Sequence, residues 1–292
     1  MGEIADAIRR ARGGQPLAVP AERSERASSA FRGLPTAPLS PPASSPAGAP
    51  ELGHAVDSVE PQNQAVVLED GPNAEICRHL ALRLRSALDR RGVRSAAIVS
   101  AERGDGKTTV ACNLAIALAS LSRSREVALV DFDLRKPAIG PYLNLRRSTG
   151  IEEVLHGRAD LDAATLNVQH PAIDVFPVAA PQRAAHELFV QPRVAEVIRE
   201  LERRYATVIV DTPPAPLVPD ASLILRHVAV CVPVVRTGKT RARSLRRLLD
   251  CLPADRIAGW ILNCEKASSF QYGGYEYAAE SETSLPEAEA RA

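Results

Sequence analysis

From residue 74 onward, short and almost continuously apolar segments alternate with longer segments whose apolar residues recur at helical spacing. The apolar segments lie at residues 95–101, 126–133, 173–179, 206–212, 228–235 and 257–263. Uninterrupted apolar character is typical of strands that are buried on both faces. The helical segments lie at residues 74–88, 107–122, 190–204 and 240–252. Strands that alternate with helices predict an α/β fold, with a mostly parallel sheet covered by helices on both faces.

Two of the predicted helices carry an apolar stripe. The stripe of the first helix consists of Ile76, Leu80, Leu84 and Leu88, and that of the last consists of Leu245, Leu248, Leu249 and Leu252. Arginines fill the opposite side of the last helix, which predicts a solvated face rather than a nucleic-acid site. The chain has 36 Lys and Arg against 35 Asp and Glu, a formal charge of +1. A nucleic-acid binder carries a clear basic excess, so we expect no nucleic-acid partner.

The two ends of the chain have a different composition from the middle. Residues 1–12 predict a short amphipathic helix, which is either a frayed terminus or a contact for a partner or a membrane surface. Residues 13–72 are rich in Pro, Ala and Ser and predict a disordered linker. Residues 267–292 predict a mobile acidic tail that contains Tyr272, Tyr275 and Tyr277. The globular domain is therefore predicted at residues 73–266.

Cysteine content and hydropathy bear on location. The five cysteines are widely scattered, which favours small apolar residues over a metal or redox site. No stretch approaches about 18 consecutive apolar residues, and the N-terminus lacks an apolar signal region. We therefore expect a cytoplasmic protein.

Residues 101–109, AERGDGKTT, form a phosphate-binding motif between a predicted strand and a predicted helix. In this context backbone N–H groups at the helix N-terminus point at phosphate oxygens. Lys107 is placed to reach the β- and γ-phosphates, and the Thr108 hydroxyl is placed to ligate Mg²⁺. The predicted nucleotide-binding residues of the loop are Gly104, Asp105, Gly106, Lys107, Thr108 and Thr109. The expected ligands are ATP and Mg²⁺.

Three carboxylates follow predicted strands. Asp131 and Asp133 end one strand, and Asp211 ends another. In an open parallel sheet, ligands bind at the carboxyl ends of the strands, so these side chains are expected in the same crevice as the phosphate loop. A single aspartate at the end of a strand is equally well explained as a cap or as part of a solvated turn. Asp211 in addition fits a water-held ligand of Mg²⁺.

Together these motifs resemble the bacterial tyrosine kinases, or BY-kinases, of capsule and exopolysaccharide assembly. The resemblance runs from about Asn73 to the end and covers SAERGDGKTT, VDFDLRKP, VIVDTPPAPLVPDA, GWILN and the tyrosine cluster. The related ParA and MinD ATPases carry a signature lysine five residues before the phosphate-loop lysine. This chain has Glu102 there, which favours the kinase branch.

The resemblance implies roles for individual residues. It makes Asp131 the acceptor of the tyrosine proton, and Thr108, Asp133 and Asp211 the metal site. It implies a catalytic set of Lys107, Asp131, Asp133 and Arg135, an adenine contact at Asn263, and phosphoacceptors at Tyr272, Tyr275 and Tyr277.

The resemblance also implies partners. The family uses Glu-x2-Arg-x2-Arg for self-association. Here Glu75 and Arg78 match, but Ala81 occupies the next position and Arg83 follows two residues later. The implied partners are further copies phosphorylated in trans, a cognate tyrosine phosphatase, and a membrane-embedded polysaccharide co-polymerase that recruits the kinase to the inner face of the membrane.

The leading hypothesis is a protein-tyrosine autokinase that regulates polysaccharide synthesis and export. One alternative is a P-loop ATPase that switches between monomer and dimer and phosphorylates nothing. Another is an inactive nucleotide-binding adaptor of an export complex. The loop and the carboxylates fit both enzymes, because water and a tyrosine hydroxyl attack the same phosphate. The tail and Glu102 favour the kinase.

Overall fold

The computed structural model of the protein describes residues 54–58, 72–122 and 125–264. The predicted helix at residues 1–12, most of the predicted linker, and the tail with Tyr272, Tyr275 and Tyr277 lie outside the described residues. Within that part of the chain, no helix is long and apolar enough to cross a bilayer.

Eight strands of the described part of the chain form one sheet. They are β1 (His54–Ser58), β2 (Ser95–Ser100), β3 (Val127–Asp131), β4 (Leu166–His170), β5 (Ile173–Phe176), β6 (Thr207–Asp211), β7 (Val230–Arg236) and β8 (Ile261–Asn263). Their order is β1-β4-β5-β3-β6-β2-β7-β8, and only β4 and β5 pair antiparallel. The predicted mostly parallel sheet is confirmed.

Nine α-helices and one 3₁₀ turn lie in the described part of the chain. The helices are α1 (Pro72–Arg91), α2 (Lys107–Ser120), α3 (Ile139–Tyr142), α4 (Ile151–Leu155), α5 (Leu161–Ala164), α6 (Ala185–Phe189), α7 (Pro192–Arg204), α8 (Asp220–Ile224) and α9 (Ala242–Cys251), and the 3₁₀ turn is Ala254–Arg256. The four long helices, α1, α2, α7 and α9, coincide with the four helical segments predicted from the sequence.

Two apolar clusters cover the two faces of the sheet. Alternate strand residues point to opposite faces: Ala96 and Ile98 of β2 belong to one cluster, and Ala97 and Val99 to the other. Helices α1 and α2 pack on the first face, and α4 to α9 on the second. This two-sided burial is why the central strands are continuously apolar.

Three details depart from the sequence analysis. The strand β1 lies inside the predicted disordered linker, which is therefore wrong at these five residues, because composition does not reveal backbone pairing with β4. The strand β4 was missed because its residues alternate in burial instead of forming an apolar run. Ile76 of α1 is 49% exposed, whereas Leu84 and Leu88 of the predicted stripe are buried together with small residues such as Ala81.

The order of the central strands assembles the site. In the sheet β6 lies between β3 and β2, and β7 and β8 follow on the other side of β2. The register pairs Asp131 at the end of β3 directly with Asp211 at the end of β6. The loops that leave β3, β6 and β2 at their carboxyl ends are therefore neighbours. In an open α/β sheet, ligands bind in the crevice between such loops.

Candidate nucleotide-binding and catalytic site

The phosphate loop joins β2 to α2 through two glycines in the left-handed region. Gly104 has φ of 79° and Gly106 has φ of 92°. A Cβ atom on Gly106 would lie 2.0 Å from Nδ2 of Asn263, so a larger residue would collide there. Helix α2 begins at Lys107, and no side chain caps its first turn. Its N-terminal N–H groups are therefore available to phosphate oxygens, as predicted.

Hydrogen bonds to the buried Asp105 hold the phosphate loop in place. The Asp105 carboxylate accepts hydrogen bonds from Glu102 N at 2.8 Å and from the Thr240 hydroxyl at 2.9 Å. Burial raises the pKa of Asp105, and these two hydrogen bonds oppose the shift. Arg236 adds a hydrogen bond from Nη1 to Gly104 O at 3.0 Å. The side chain of Asp105 therefore supports the loop rather than facing a ligand.

Lys107 and Thr108 contact the carboxylates that the sequence predicted beside them. Lys107 Nζ lies 3.3 Å from Asp133 Oδ2, and the Thr108 hydroxyl donates to Asp211 Oδ2 at 2.6 Å. Burial alone would lower the pKa of Lys107, but Asp211 and Asp133 together outweigh it and raise it. The lysine therefore stays a cation inside the crevice.

Asp211 has a free oxygen in a buried position. The residue is 0% exposed, and its Oδ1 atom has no hydrogen-bond partner among the described residues. Burial raises its pKa, while Lys107 and the Thr108 hydroxyl lower it. An unpaired buried carboxylate oxygen beside a hydroxyl matches the hard-oxygen chemistry of Mg²⁺.

Protein side chains alone do not complete a metal site. Among the residues that the structure describes, no group of three or more His, Cys, Asp or Glu side chains could hold a metal ion. Mg²⁺ commonly uses only one or two carboxylates and takes its other ligands from phosphates and water. The residues present therefore fit a magnesium ion that arrives with a nucleotide.

Asp131 is engaged by its own loop. Its Oδ1 accepts a hydrogen bond from Asp133 N at 3.1 Å, and its Oδ2 accepts from Ala138 N and Ile139 N at 3.0 and 3.1 Å. The side chain is fully buried, and burial together with the neighbouring Asp211 raises its pKa. In this conformation Asp131 shapes the loop after β3, and its role as proton acceptor stays a prediction.

Two other predicted site residues have structural partners. Arg135 forms a bidentate ion pair with Asp220, a residue that the sequence analysis did not single out. Asn263 donates from Nδ2 to Asp105 O at 2.9 Å and accepts from Cys264 N through Oδ1. Asn263 thus contacts the phosphate loop itself, and its predicted contact with adenine stays a prediction.

Sequence reasoning also missed Tyr142, whose hydroxyl accepts a hydrogen bond from the Thr109 hydroxyl at 3.0 Å. It lies in α3, 33 residues further along the chain than Thr109. A tyrosine two positions after Gly140 in a proline-containing segment carries no motif. Only the tertiary structure brings it to the phosphate loop.

Glu102 marks a difference from the ParA and MinD pattern. Its carboxylate accepts hydrogen bonds from the Ser244 hydroxyl and the Arg241 backbone, which lower its pKa. Both partners lie at the start of α9 in the same chain. At the position of the signature lysine, this chain therefore has a half-buried anion directed at its own helix.

The comparisons with known proteins agree with this geometry. The family model CbiA, the CobQ/CobB/MinD/ParA nucleotide binding domain, matches residues 96–268. The putative tyrosine-protein kinase EpsB of Ralstonia nicotianae is 26% identical over 76% of the chain and 30% of its own length. Tyrosine-protein kinase YwqD of Bacillus subtilis is 29% identical over 70% of the chain and 86% of its own length. The succinoglycan biosynthesis transport protein ExoP of Rhizobium meliloti is 29% identical over 72% and 28%. The chain thus spans less than a third of EpsB and ExoP.

Three solved structures are also similar to this chain. The chimerical protein CapA2B2 is similar with a TM-score of 0.63 and 25% identity, over 73% of this chain and 93% of that one. The kinase domain of VpsO has a TM-score of 0.59 and 26% identity, over 65% and 95%. MinD of Pyrococcus horikoshii, complexed with Mg-ADP, has a TM-score of 0.50 and 26% identity, over 58% and 69%.

Proposed function

Because the chain belongs to the CobQ/CobB/MinD/ParA family of nucleotide-binding domains, and within it to the bacterial tyrosine kinases, we propose that it is a protein-tyrosine kinase. It transfers the γ-phosphate of ATP to Tyr272, Tyr275 and Tyr277 in the tail of another copy. This autophosphorylation regulates the synthesis and export of an exopolysaccharide or capsular polysaccharide. The names of EpsB, YwqD and ExoP support the activity and the setting.

The observation that carries the proposal is the group of Lys107, Thr108, Asp133 and Asp211 at the N-terminus of α2. A cation and a hydroxyl from the phosphate loop contact carboxylates from two adjacent strands. One carboxylate oxygen, Asp211 Oδ1, is buried and accepts no hydrogen bond from the residues that the structure describes. Phosphoryl transfer needs this combination, because its catalysis consists mainly of positioning and charge stabilisation.

Each residue then has a task. The N–H groups of residues 104–109 bind the phosphates, and the Lys107 ammonium neutralises charge on the transferred group. Thr108, Asp133 and Asp211 are the residues that would hold Mg²⁺, which when bound supplies Lewis-acid stabilisation of the phosphates. Asp131 orients the tyrosine hydroxyl and takes its proton once the loop after β3 frees one of its oxygens.

The order of proton transfer follows from ordinary pKa values. Complete transfer from tyrosine, near pKa 10, to an unperturbed aspartate, near 3.9, would cost about 8 kcal/mol before reaction. Burial and the neighbouring Asp211 raise the pKa of Asp131, which lowers this cost without removing it, so a tyrosinate in the ground state is disfavoured. A loose transition state demands little charge on the nucleophile early, so the proton leaves late.

The position of the last described strand supports the tail as acceptor. β8 ends at Asn263, whose side chain contacts the phosphate loop. The residues from which the chain continues toward the tail therefore lie beside the proposed nucleotide site. When copies associate, each tail is held near a neighbour's site at an effective concentration on the order of mM.

Self-association is part of the proposal, but not through the complete arginine motif. Glu75 and Arg78 pair within α1. Ala81 is 0% exposed and packs in the cluster that contains α2, so an arginine at this position would be buried in the core. Any assembly of copies through α1 must therefore use Glu75, Arg78 and exposed neighbours such as Leu82.

The remaining partners belong to the proposal at the level of their class. A membrane-embedded polysaccharide co-polymerase would recruit and activate the kinase at the inner face of the membrane. A tyrosine phosphatase would reset the tail. The acidic tail gains nearly two negative charges with each phosphate, so phosphorylation should loosen the assembly. Light scattering before and after ATP treatment tests this, and an equal or larger particle after treatment contradicts it.

The decisive experiment uses labelled ATP with Mg²⁺ and two matched variants of the full chain. Lys107→Met should be unlabelled, because it lacks the phosphate-loop cation. The triple variant Y272F/Y275F/Y277F should be unlabelled by itself but should label the Lys107→Met chain when the two are mixed. Phosphate release without label in any mixture would instead support the ATPase alternative.

A further inference from the structure

The Arg135 guanidinium is held by several partners at one edge of the crevice. Its Nε and Nη2 atoms donate to the two Asp220 oxygens at 2.6 and 3.2 Å. Nη1 donates to Arg183 O at 2.6 Å, and Nη2 lies 3.3 Å from His186 Nδ1. Each of the three guanidinium nitrogens therefore has at least one partner among the described residues.

Asp220 is the buried half of this pair. Its side chain is 1% exposed, against 29% for Arg135. Releasing Arg135 toward a phosphate would leave a buried carboxylate without its cation, which proteins strongly disfavour. The pair is therefore expected to persist when nucleotide binds.

On one side, the pair is linked stiffly to Asp211. Residues 212–219, between Asp211 and Asp220, contain four prolines, each with a fixed φ. The same segment is fastened to β2, because Thr212 donates to Ile98 O at 2.8 Å and Ala215 N donates to Ser100 O at 3.0 Å. The position of Asp220 is thus mechanically coupled to that of Asp211.

On the other side, the pair is linked just as closely to Asp133. Arg135 follows Asp133 by two residues, with the buried Leu134 between them. Leu134 O accepts a hydrogen bond from Gln182 N at 2.7 Å, and Asp133 Oδ1 accepts one from Lys136 N at 3.2 Å. The loop after β3 is therefore short, and these two hydrogen bonds hold it in place beside Arg135.

We infer that Arg135 and Asp220 are positioning residues that act as one unit. Their ion pair fixes the loop that carries Asp133 against the proline-rich segment that follows Asp211. It thereby sets the distance between the two carboxylates that would hold Mg²⁺. The inference rests on the proposed nucleotide site, and it replaces the catalytic role that the resemblance implied for Arg135.

A binding measurement on the full chain tests the pair without relying on kinase activity. The variants are Arg135→Gln, Asp220→Asn and the double R135Q/D220N. The readout is the affinity for a fluorescent ADP analogue with and without Mg²⁺. Affinity without Mg²⁺ should stay within twofold of wild type, and the gain that Mg²⁺ gives should fall about tenfold in each single variant. The double variant should show the same loss as either single, because both residues serve one contact.

Arg158→Gln is the matched control, since it breaks another bidentate pair, with Glu153, on the exposed surface. It should leave the Mg²⁺ gain unchanged. In transfer assays, both single variants should lower kcat while the KM for ATP stays within twofold. Melting curves separate these effects from unfolding, and the double variant, which buries no unpaired charge, gives the answer if a single variant fails to fold.

Three results would overturn the inference. Asp220→Asn could keep the full Mg²⁺ gain while Arg135→Gln loses it, which would mean that Arg135 acts on the ligand directly. The losses could multiply in the double variant, or the folded double variant could keep the full gain. A wild type whose nucleotide affinity does not rise with Mg²⁺ would contradict the proposed function itself. The three results above contradict only the inference, so the two failures are distinguishable.

Discussion

The two ends of the sheet both bury carboxylates, and they treat them in opposite ways. At the amino end, Asp174 is the second residue of β5 and is surrounded by donors. At the carboxyl end, Asp131, Asp133 and Asp211 lie close to the Lys107 ammonium. Comparing them separates polar burial that stabilises the fold from polar burial that serves a ligand.

The amino-end cluster satisfies its carboxylate. Arg125 Nη1 and Asn167 Nδ2 donate to Asp174 Oδ1 at 2.8 and 2.7 Å, and the Tyr205 hydroxyl donates to Oδ2 at 2.7 Å. Arg125 also donates to Val168 O and Ile173 O, which ties down the turn between β4 and β5. Burial and the Asp174 charge raise the pKa of Tyr205, so this phenol remains a donor.

The carboxyl-end cluster leaves part of its hydrogen-bonding capacity unused. Asp211 Oδ1 is buried and has no hydrogen-bond partner in the part of the chain that the structure describes, and three carboxylates lie close to the Lys107 ammonium. Such an arrangement costs folding free energy unless something else supplies positive charge. The difference between the two clusters indicates that the carboxyl end is built for a cationic ligand bound with a nucleotide.

The largest effect is expected for Thr108→Ala at the carboxyl end. It removes both a candidate Mg²⁺ ligand and the hydroxyl that donates to Asp211 Oδ2. Phosphoryl transfer should fall by about 10²- to 10³-fold, or about 3–4 kcal/mol in the barrier. Thr108→Ser keeps the hydroxyl and should retain most of the rate. Equal loss in both variants would contradict the assignment.

Asp174→Ala should have its effect on stability instead. It leaves Arg125 and the Tyr205 hydroxyl without their shared acceptor, at a cost of about 3 kcal/mol in the free energy of unfolding. Urea denaturation measures this cost. Nucleotide affinity of the folded protein should be unchanged, and a variant that is stable but binds nucleotide weakly would break the comparison.

For Asp211→Asn we expect the opposite outcome, in which stability is kept and nucleotide affinity is reduced. It removes a negative charge from a group of like charges, and the amide oxygen can still accept from Thr108. The melting temperature should stay the same or rise, while the Mg²⁺ gain in nucleotide affinity should fall about tenfold, or about 1.4 kcal/mol. A large loss of stability would mean that Asp211 serves the fold, as Asp174 does.

Tyr205→Phe gives the smallest effect. The hydroxyl is lost, but Asp174 keeps Arg125 and Asn167 on its other oxygen. The expected cost is about 1 kcal/mol of unfolding free energy, again without change in nucleotide affinity. A cost as large as that of Asp174→Ala would contradict this, because the Tyr205 hydroxyl alone would then account for the stabilising effect of the cluster.

The sequence predicted the parts of the site that a motif encodes locally. The family membership, the sheet, the phosphate loop and the α/β class are confirmed, and Lys107, Thr108, Asp133 and Asp211 lie together as expected. All of these follow from one rule, that loops at the carboxyl ends of adjacent parallel strands share a crevice.

What the sequence did not predict are contacts between distant residues without a motif. Thr240 reaches Asp105 across 135 positions, and Asp220 reaches Arg135 across 85. No local pattern links such pairs, because the fold alone brings them together. The strand β1 was missed for the same reason, since its partner β4 lies more than a hundred residues away.

The most direct test of the account is a structure of the full chain with Mg²⁺ and a non-hydrolysable ATP analogue. The account predicts phosphates against the N–H groups of residues 104–109 and the metal at about 2.1 Å from Thr108 Oγ1. It also predicts that Asp211 Oδ1 contacts the metal or a metal-bound water. A nucleotide bound elsewhere, or an Asp211 oxygen still without a partner beside a bound metal, would contradict it.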